Sequence, residues 1–245
     1  MPSLVSSIRE KYLYTLDQIA QAARKSGRDP NQIRLVVVTK SQPLEIVQAA
    51  IEAGVHILGE NYPEEGVTKI QSLAPQTGVE WHMIGHVQSR KARLVAEHFA
   101  LLHSLDSFKL AQRLDRFAAE SNRTLPSLLE FNVGGEVSKS GWDASDDSKW
   151  DALLPDIAAI LDLPHLRVQG LMTMPPLGTD PEDSRRFFRR LRLLREWLAN
   201  QLPSVDWREL SMGTSADYAV AVEEGATLVR VGTAIVGERR RTSEK

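Results

Sequence analysis

Eight short apolar segments, each too brief to form a helix, alternate along this chain with stretches of helical period. The first is RLVVVTK at 34–40, which is β-branched and apolar. Further strands are predicted at 55–60, 80–86, 100–105, 126–133, 166–173, 207–212 and 228–232. Between them a helix is predicted from Pro43, with Leu44, Val47, Ala50 and Ile51 as its buried face, and others at 63–72, 89–97, 107–121, 148–161, 181–201 and 215–224. One more helix is expected ahead of the first strand, at 3–26. There Val5, Ile8, Tyr12, Leu16, Ile19 and Ala23 recur at three- and four-residue steps, and Gly27 is a natural stop.

Short apolar strands separated by amphipathic helices pair in parallel, with the helices covering the sheet. Eight such units in 245 residues favour a closed (β/α)8 barrel of the TIM type, with an added N-terminal helix, over an open doubly wound sheet. No internal repeat or long linker divides the chain, so residues 1–238 are expected to form one domain and 239–245 a disordered tail.

The composition, 42% apolar and 25% charged, is that of an ordinary globular protein and argues against disordered or fibrous architectures. Cys is absent, which removes disulfides, thiol nucleophiles and Cys-based metal sites. A net charge of −2 offers no electrostatic footprint for nucleic acid or an anionic membrane. Charged residues interrupt the N-terminus where a signal peptide needs an apolar stretch, and no run approaches the 18 or so apolar residues of a membrane span. The cytoplasm is the expected location. The arginine-rich segment 180–198 reads as a solvated barrel helix, because Phe187, Leu191, Leu194 and Leu198 share one face and its acidic residues sit at the N-terminal end.

In a barrel of this kind the chemistry lies at the C-terminal ends of the strands. The polar residues there are Lys40, Asn61, His86, Asn132, Thr173, Ser211, Thr214, Ser215 and Thr233. Period two puts Lys40 on the side of Val36 and Val38. Apolar neighbours disfavour the ammonium form, and a neutral amine attacks aldehydes, so Schiff-base chemistry suits Lys40; a lysine simply reaching water is the alternative. SMGTS at 211–215 and RVGT at 230–233 follow the seventh and eighth strands, where barrels commonly bind phosphate. Gly213 and Gly232 let backbone N–H groups approach a ligand, and Ser211, Thr214, Ser215 and Thr233 offer hydroxyls; two capped glycine turns would look the same. Arg230 shares the parity of Gly232 and needs an acceptor, either a ligand or a carboxylate such as Glu209. His82 and His86 lie about 13 Å apart on a strand rising about 3.3 Å per residue, too far for one zinc ion, so no metal site is expected.

VVVTK, GENYPEE (59–65), WHMIGHVQSRK (81–91), NVGGEVSKSG (132–141), GLMTM (170–174), SMGTSADY (211–218) and VRVGTAIVG (229–237) occur in that order. Together, over about residues 5–238, they resemble the pyridoxal-phosphate homeostasis protein family, single-domain relatives of the alanine racemase barrel. The resemblance implies a (β/α)8 barrel holding pyridoxal 5′-phosphate (PLP) as a lysine imine. It implies a role in vitamin B6 homeostasis and amino-acid and keto-acid balance, without established enzymatic turnover, so no catalytic residue is expected.

By the same resemblance Lys40 matches the imine lysine, and Asn61 lies near the ring hydroxyl of the cofactor. Ser211, Gly232 and Thr233 match the phosphate cup, and Arg230 faces the pyridine nitrogen. Thr214, counted with the phosphate loop, stands where the family commonly has Met, and Val236 where an aromatic is common. PLP is the expected partner, with PLP-dependent client enzymes or amino acids as further candidates. A monomer is expected, with no nucleic acid and no membrane. A PLP-dependent amino-acid racemase is the alternative, and a cofactor-free Schiff-base aldolase a third. Against the racemase, its second base in the relatives is a tyrosine of a C-terminal domain, and the tyrosines here, at 12, 14, 62 and 218, all precede the eighth strand.

Overall fold

In the computed structural model, which describes residues 3–73, 78–176 and 178–238, the apolar segments close into a parallel barrel. The strands are β1 (Arg34–Val38), β2 (Ile57–Glu60), β3 (Glu80–Met83), β4 (Leu101–Leu105), β5 (Leu125–Asn132), β6 (Leu166–Met172), β7 (Glu209–Ser211) and β8 (Leu228–Val231). Each pairs with the next in parallel, and β8 pairs with β1 to close the ring. The sequence anticipates these eight strands but makes several too long. The ladder stops at the barrel rim, as at Val38, after which Ser41 turns the chain with φ +57°. A two-residue strand, Trp142–Asp143, pairs beside Phe131 and Asn132 and carries no periodicity that could announce it.

The helices are α1 (Leu4–Lys25), α2 (Leu44–Glu52), α3 (Pro63–Leu73), α4 (Ala92–His98), α5 (Phe108–Glu120), α6 (Leu154–Leu161), α7 (Arg185–Gln201), α8 (Tyr218–Glu223) and α9 (Thr233–Val236). Ser3 caps α1 by accepting a bond from the Ser6 amide; α1 buries Ile8, Ile19, Ala22 and Ala23 and packs against α2 and α8. On α7, Phe188, Leu191, Leu194 and Leu198 are fully buried. Full burial of such a side chain contributes roughly 1.5–3 kcal/mol, against about 0–1 kcal/mol for an exposed ion pair, so the apolar stripe holds this helix. Two of its arginines are held in ion pairs: Arg185 with Glu182, Glu223 and Glu224, and Arg192 with Glu196 and Glu224. No described helix is long and apolar enough to cross a membrane.

Most of the apolar core lies between barrel and helices, whereas the barrel interior holds a small cluster of Val36, Leu101, Leu128, Met172 and Leu228. Buried polar residues accompany it, among them His82, His103, Ser211 and Arg230.

Candidate functional site

A cavity of about 540 Å³ opens at the C-terminal ends of the strands, and its wall includes Lys40, Asn61, Thr214, Arg230, Gly232 and Thr233. Six of the seven residues singled out from the sequence therefore converge. A larger hollow, about 750 Å³, includes Arg34, Glu209, Arg192 and Glu224 in its wall, but these arginines and glutamates pair with one another.

Lys40 is half-buried and follows Val36 and Val38 on the inward parity of β1, as expected. Its neighbours in the chain are gripped from α3. Lys69 Nζ donates to the Thr39 carbonyl at 2.7 Å and to Glu65 Oε1 at 2.6 Å, and the Ser41 amide donates to the same Glu65 oxygen at 2.7 Å. Glu60 Oε1 accepts from Thr39 Oγ1 at 2.6 Å and from Lys69 at 2.8 Å. Burial pushes the Glu60 carboxyl up, and Lys69 and Thr39 pull it back. GENYPEE thus contains a clamp on the peptide units around Lys40. Sequence reasoning missed it, although Glu65 and Lys69 stand one helical turn apart.

Arg230 is buried, and its Nη2 donates to the Thr173 carbonyl and Met174 Sδ, both at 2.9 Å. Its Nη1 donates to Ser211 Oγ. Burial lowers its pKa to about 10, although the carboxylates of Glu130 and Asp217 oppose the change. The alternative partner Glu209 is corrected: it pairs with Arg34 at 2.8 Å and Arg208 at 3.3 Å. Register explains this, because Arg34 and Ser211 both stand opposite Leu228, placing Glu209 at the far end from Arg230.

Ser211 also departs from expectation. Its side chain is wholly buried between Arg230 and His103 and is absent from the cavity wall, so its hydroxyl is not part of a phosphate cup. Ser215, four residues on, takes the wall position. Thr214 lines the cavity, but its amide and hydroxyl both donate to Asp217 Oδ1, at 2.7 and 3.1 Å. Gly213, at φ +91°, is required by packing as well, since a Cβ there would stand 2.5 Å from that of Ala221. The backbone N–H groups of Ser215, Ala216, Thr233 and Ala234 have no acceptor among the described residues.

Two acceptors in the wall lack partners among the described residues: Asn61 Oδ1 and Glu130 Oε2, both shielded from solvent. Glu130, which sequence reasoning passed over inside an apolar strand, is pushed up to about 7, chiefly by burial with Asp106 adding. Arg230, His86 and Lys139 oppose that rise. His86 completes this side, its Nδ1 2.8 Å from Asp106 Oδ2. His82, by contrast, lies within the barrel beside His103, so the two histidines stand at different levels.

A closed barrel with a lysine, an arginine and a glycine-flanked hydroxyl loop at one mouth places the chain in the class of the alanine racemase N-terminal domain, whose family matches residues 15–240. Alanine racemase of Clostridium difficile shares that fold at 14% identity, with a TM-score of 0.67 over 97% of this chain and 57% of its own. The chain belongs to the pyridoxal phosphate homeostasis protein family. It is 40% identical to the member from Vibrio alginolyticus, over 96% of this chain and 99% of that one. It is also 40% identical to the member from Escherichia coli K12, over 91% and 93% of the two chains. Among solved structures, PipY of Synechococcus elongatus with PLP bound superposes with a TM-score of 0.76 at 36% identity, covering 89% of this chain and all of that one.

Proposed function

We propose that this chain is a non-catalytic PLP-binding protein of vitamin B6 homeostasis, holding the cofactor on Lys40 and influencing amino-acid and keto-acid balance. The observation that carries the reading is the convergence of Lys40, Arg230 and the orphaned Asn61 Oδ1 on one cavity. Its volume, about 540 Å³, lies within the range of about 300–1,000 Å³ usual for small-molecule and cofactor sites.

The residues present fit the group. PLP supplies an aldehyde carbon, an electron-withdrawing ring and a phosphate dianion. Lys40 provides the amine for the aldehyde, and Asn61 an acceptor for the ring hydroxyl. The N–H groups of Ser215, Ala216, Thr233 and Ala234 suit the phosphate, with Gly232 allowing close approach and the Ser215, Thr214 and Thr233 side chains beside them. Arg230 stays protonated near neutrality, so it donates to the pyridine nitrogen without giving up its proton. A ring nitrogen left unprotonated withdraws electrons poorly, which favours storage over turnover. The same reading takes residues 1–238 as one domain, acting as a cytoplasmic monomer that exchanges PLP with client enzymes or amino acids; residues 239–245 lie outside the described part.

The test is mass spectrometry of borohydride-reduced, PLP-loaded protein. A pyridoxyl adduct on Lys40, and loss of the visible absorption in Lys40→Ala, are expected; an adduct elsewhere overturns the assignment.

One observation favours the racemase-type alternative. Inverting an α-carbon needs a proton-accepting group on each face, and Glu130 presents an oxygen without a partner among the described residues in the wall that also carries Lys40. Chiral chromatography of L-alanine, L-serine and L-glutamate incubated with PLP-loaded protein decides between the two. D-isomer at ordinary enzyme rates, about 1–10³ s⁻¹, and its loss in Glu130→Gln would establish the alternative.

A further inference from the structure

A guanidinium has donors and no acceptor, so the bond between Arg230 and Ser211 has one direction: Arg230 Nη1 donates and Ser211 Oγ accepts. Among the described residues the one other bonded partner of Ser211 Oγ is His103 Nδ1, 2.8 Å away, which makes it the acceptor open to the serine hydrogen. His103 Nδ1 must be bare to receive it, and a neutral imidazole so engaged carries its hydrogen on Nε2. That nitrogen lies 3.0 Å from His82 Nδ1. The same logic puts the His82 hydrogen on Nε2, 3.3 Å from Glu80 Oε2.

Every donor therefore points from the cavity wall toward a carboxylate at the start of β3. His82, His103, Ser211 and Arg230 are buried, whereas the Glu80 side chain is 57% exposed. Burial keeps both rings neutral, pushing His82 down and His103 well down. All three described hydrogen-bond partners of the Arg230 guanidinium are uncharged, so this series of bonds is its only hydrogen-bonded path to a carboxylate among the described residues.

We propose that Arg230, Ser211, His103, His82 and Glu80 form a one-way relay through the barrel, in which Ser211 and His103 are positioning residues for Arg230 and the Glu80 charge is felt at the cavity. A fully satisfied polar chain in a low-dielectric interior holds its members in one geometry, and each bond polarises the next. Reversing His82 alone would set two N–H groups against each other between the imidazoles, and reversing His103 alone two bare nitrogens. The relay stands on these distances; its effect on a bound ligand rests on the PLP reading above.

The experiment uses the full-length protein labelled with ¹⁵N in its histidine rings, free and PLP-loaded, at pH 7. His82 and His103 are expected as neutral Nε2–H tautomers. His103 as the Nδ1–H tautomer, or as imidazolium, overturns the relay whether or not PLP binds. Ser211→Ala should release the His103 tautomer preference and weaken PLP binding about 10-fold, the scale of one hydrogen bond. Glu80→Gln, at an exposed position remote from the cavity, should displace the absorption maximum of bound PLP. Unchanged PLP affinity in the serine variant together with an unchanged maximum in Glu80→Gln overturns the coupling. A wild-type protein that binds no PLP overturns the earlier reading and this coupling, and the tautomers then decide the hydrogen-bonded chain itself.

Discussion

Lys69 Nζ lies 2.7 Å from the carbonyl oxygen of Thr39, the residue immediately before Lys40. A buried ammonium on α3 thus holds the backbone that presents a lysine in the cavity wall. Lys69 shares Glu60 and Glu65 with the same segment, so this one side chain bonds one oxygen of each of two carboxylates and one peptide carbonyl.

Replacing Lys69 by Met removes the cation and leaves Glu60 buried without its charge partner. Breaking a buried pair from one side typically costs about 3–5 kcal/mol. Urea denaturation of Lys69→Met should show a loss on that scale. Glu60→Gln/Lys69→Met should recover part of it, because the neutral amide no longer needs a cation. Equal stabilities of wild type and single variant would mean the clamp carries no load.

The phosphate reading separates two serines. Ser215 lines the cavity, and its Oγ accepts a bond from the Gly232 amide at 3.3 Å. A hydrogen bond to a charged acceptor contributes about 1.5–3 kcal/mol, or roughly 10- to 150-fold in affinity. Ser215→Ala should weaken PLP retention toward the lower end, because backbone amides remain. Thr214→Val should do less, since that hydroxyl already donates to Asp217. Equilibrium dialysis gives both numbers, and the reverse order would reassign the cup.

Glu130 makes the ligand-free protein pH-sensitive with a definite sign. Its folded pKa of about 7 lies above the ordinary value of 4.5, so the folded state keeps a proton that the unfolded chain releases. Its contribution is fully present below about pH 4.5 and is lost as pH rises through about 7, a change of roughly 3 kcal/mol. Glu130→Gln should remove that fall. Denaturation midpoints at about pH 5 and pH 7.5 check it; parallel changes in both proteins would place the proton elsewhere.

Gly85 packs against the backbone of Asn61, and a Cβ there would stand 2.3 Å from the Asn61 carbonyl oxygen. Backbone cannot yield as a flexible side chain does, so Gly85→Ala should cost about 1–3 kcal/mol by overpacking. It should also displace Asn61 and weaken PLP binding. A thermal scan and a PLP titration measure the two effects, and wild-type values in both would show that the rim relaxes freely.

Local pattern decides which way a side chain faces. Val36, Val38 and Lys40 share one side of β1, and Leu228, Arg230 and Gly232 one side of β8, because strand parity is a property of the chain alone. The alternation of such strands with apolar-striped helices likewise determined a parallel, helix-covered sheet, and the count of eight units favoured its closure into a barrel before any contact was known. What parity does not contain is height along the barrel axis, which depends on the stagger between neighbouring strands. That stagger, with Ser211 opposite Leu228, sank Ser211 beneath the cavity, lifted Ser215 into its wall and sent Glu209 to Arg34. It also stacked His82 and His103 into a line that sequence spacing keeps 21 residues apart. Glu130 was hidden for the same reason: a carboxylate within an apolar run is unremarkable until its neighbours are known, and only packing shields it, leaves one oxygen without a partner among the described residues and raises its pKa.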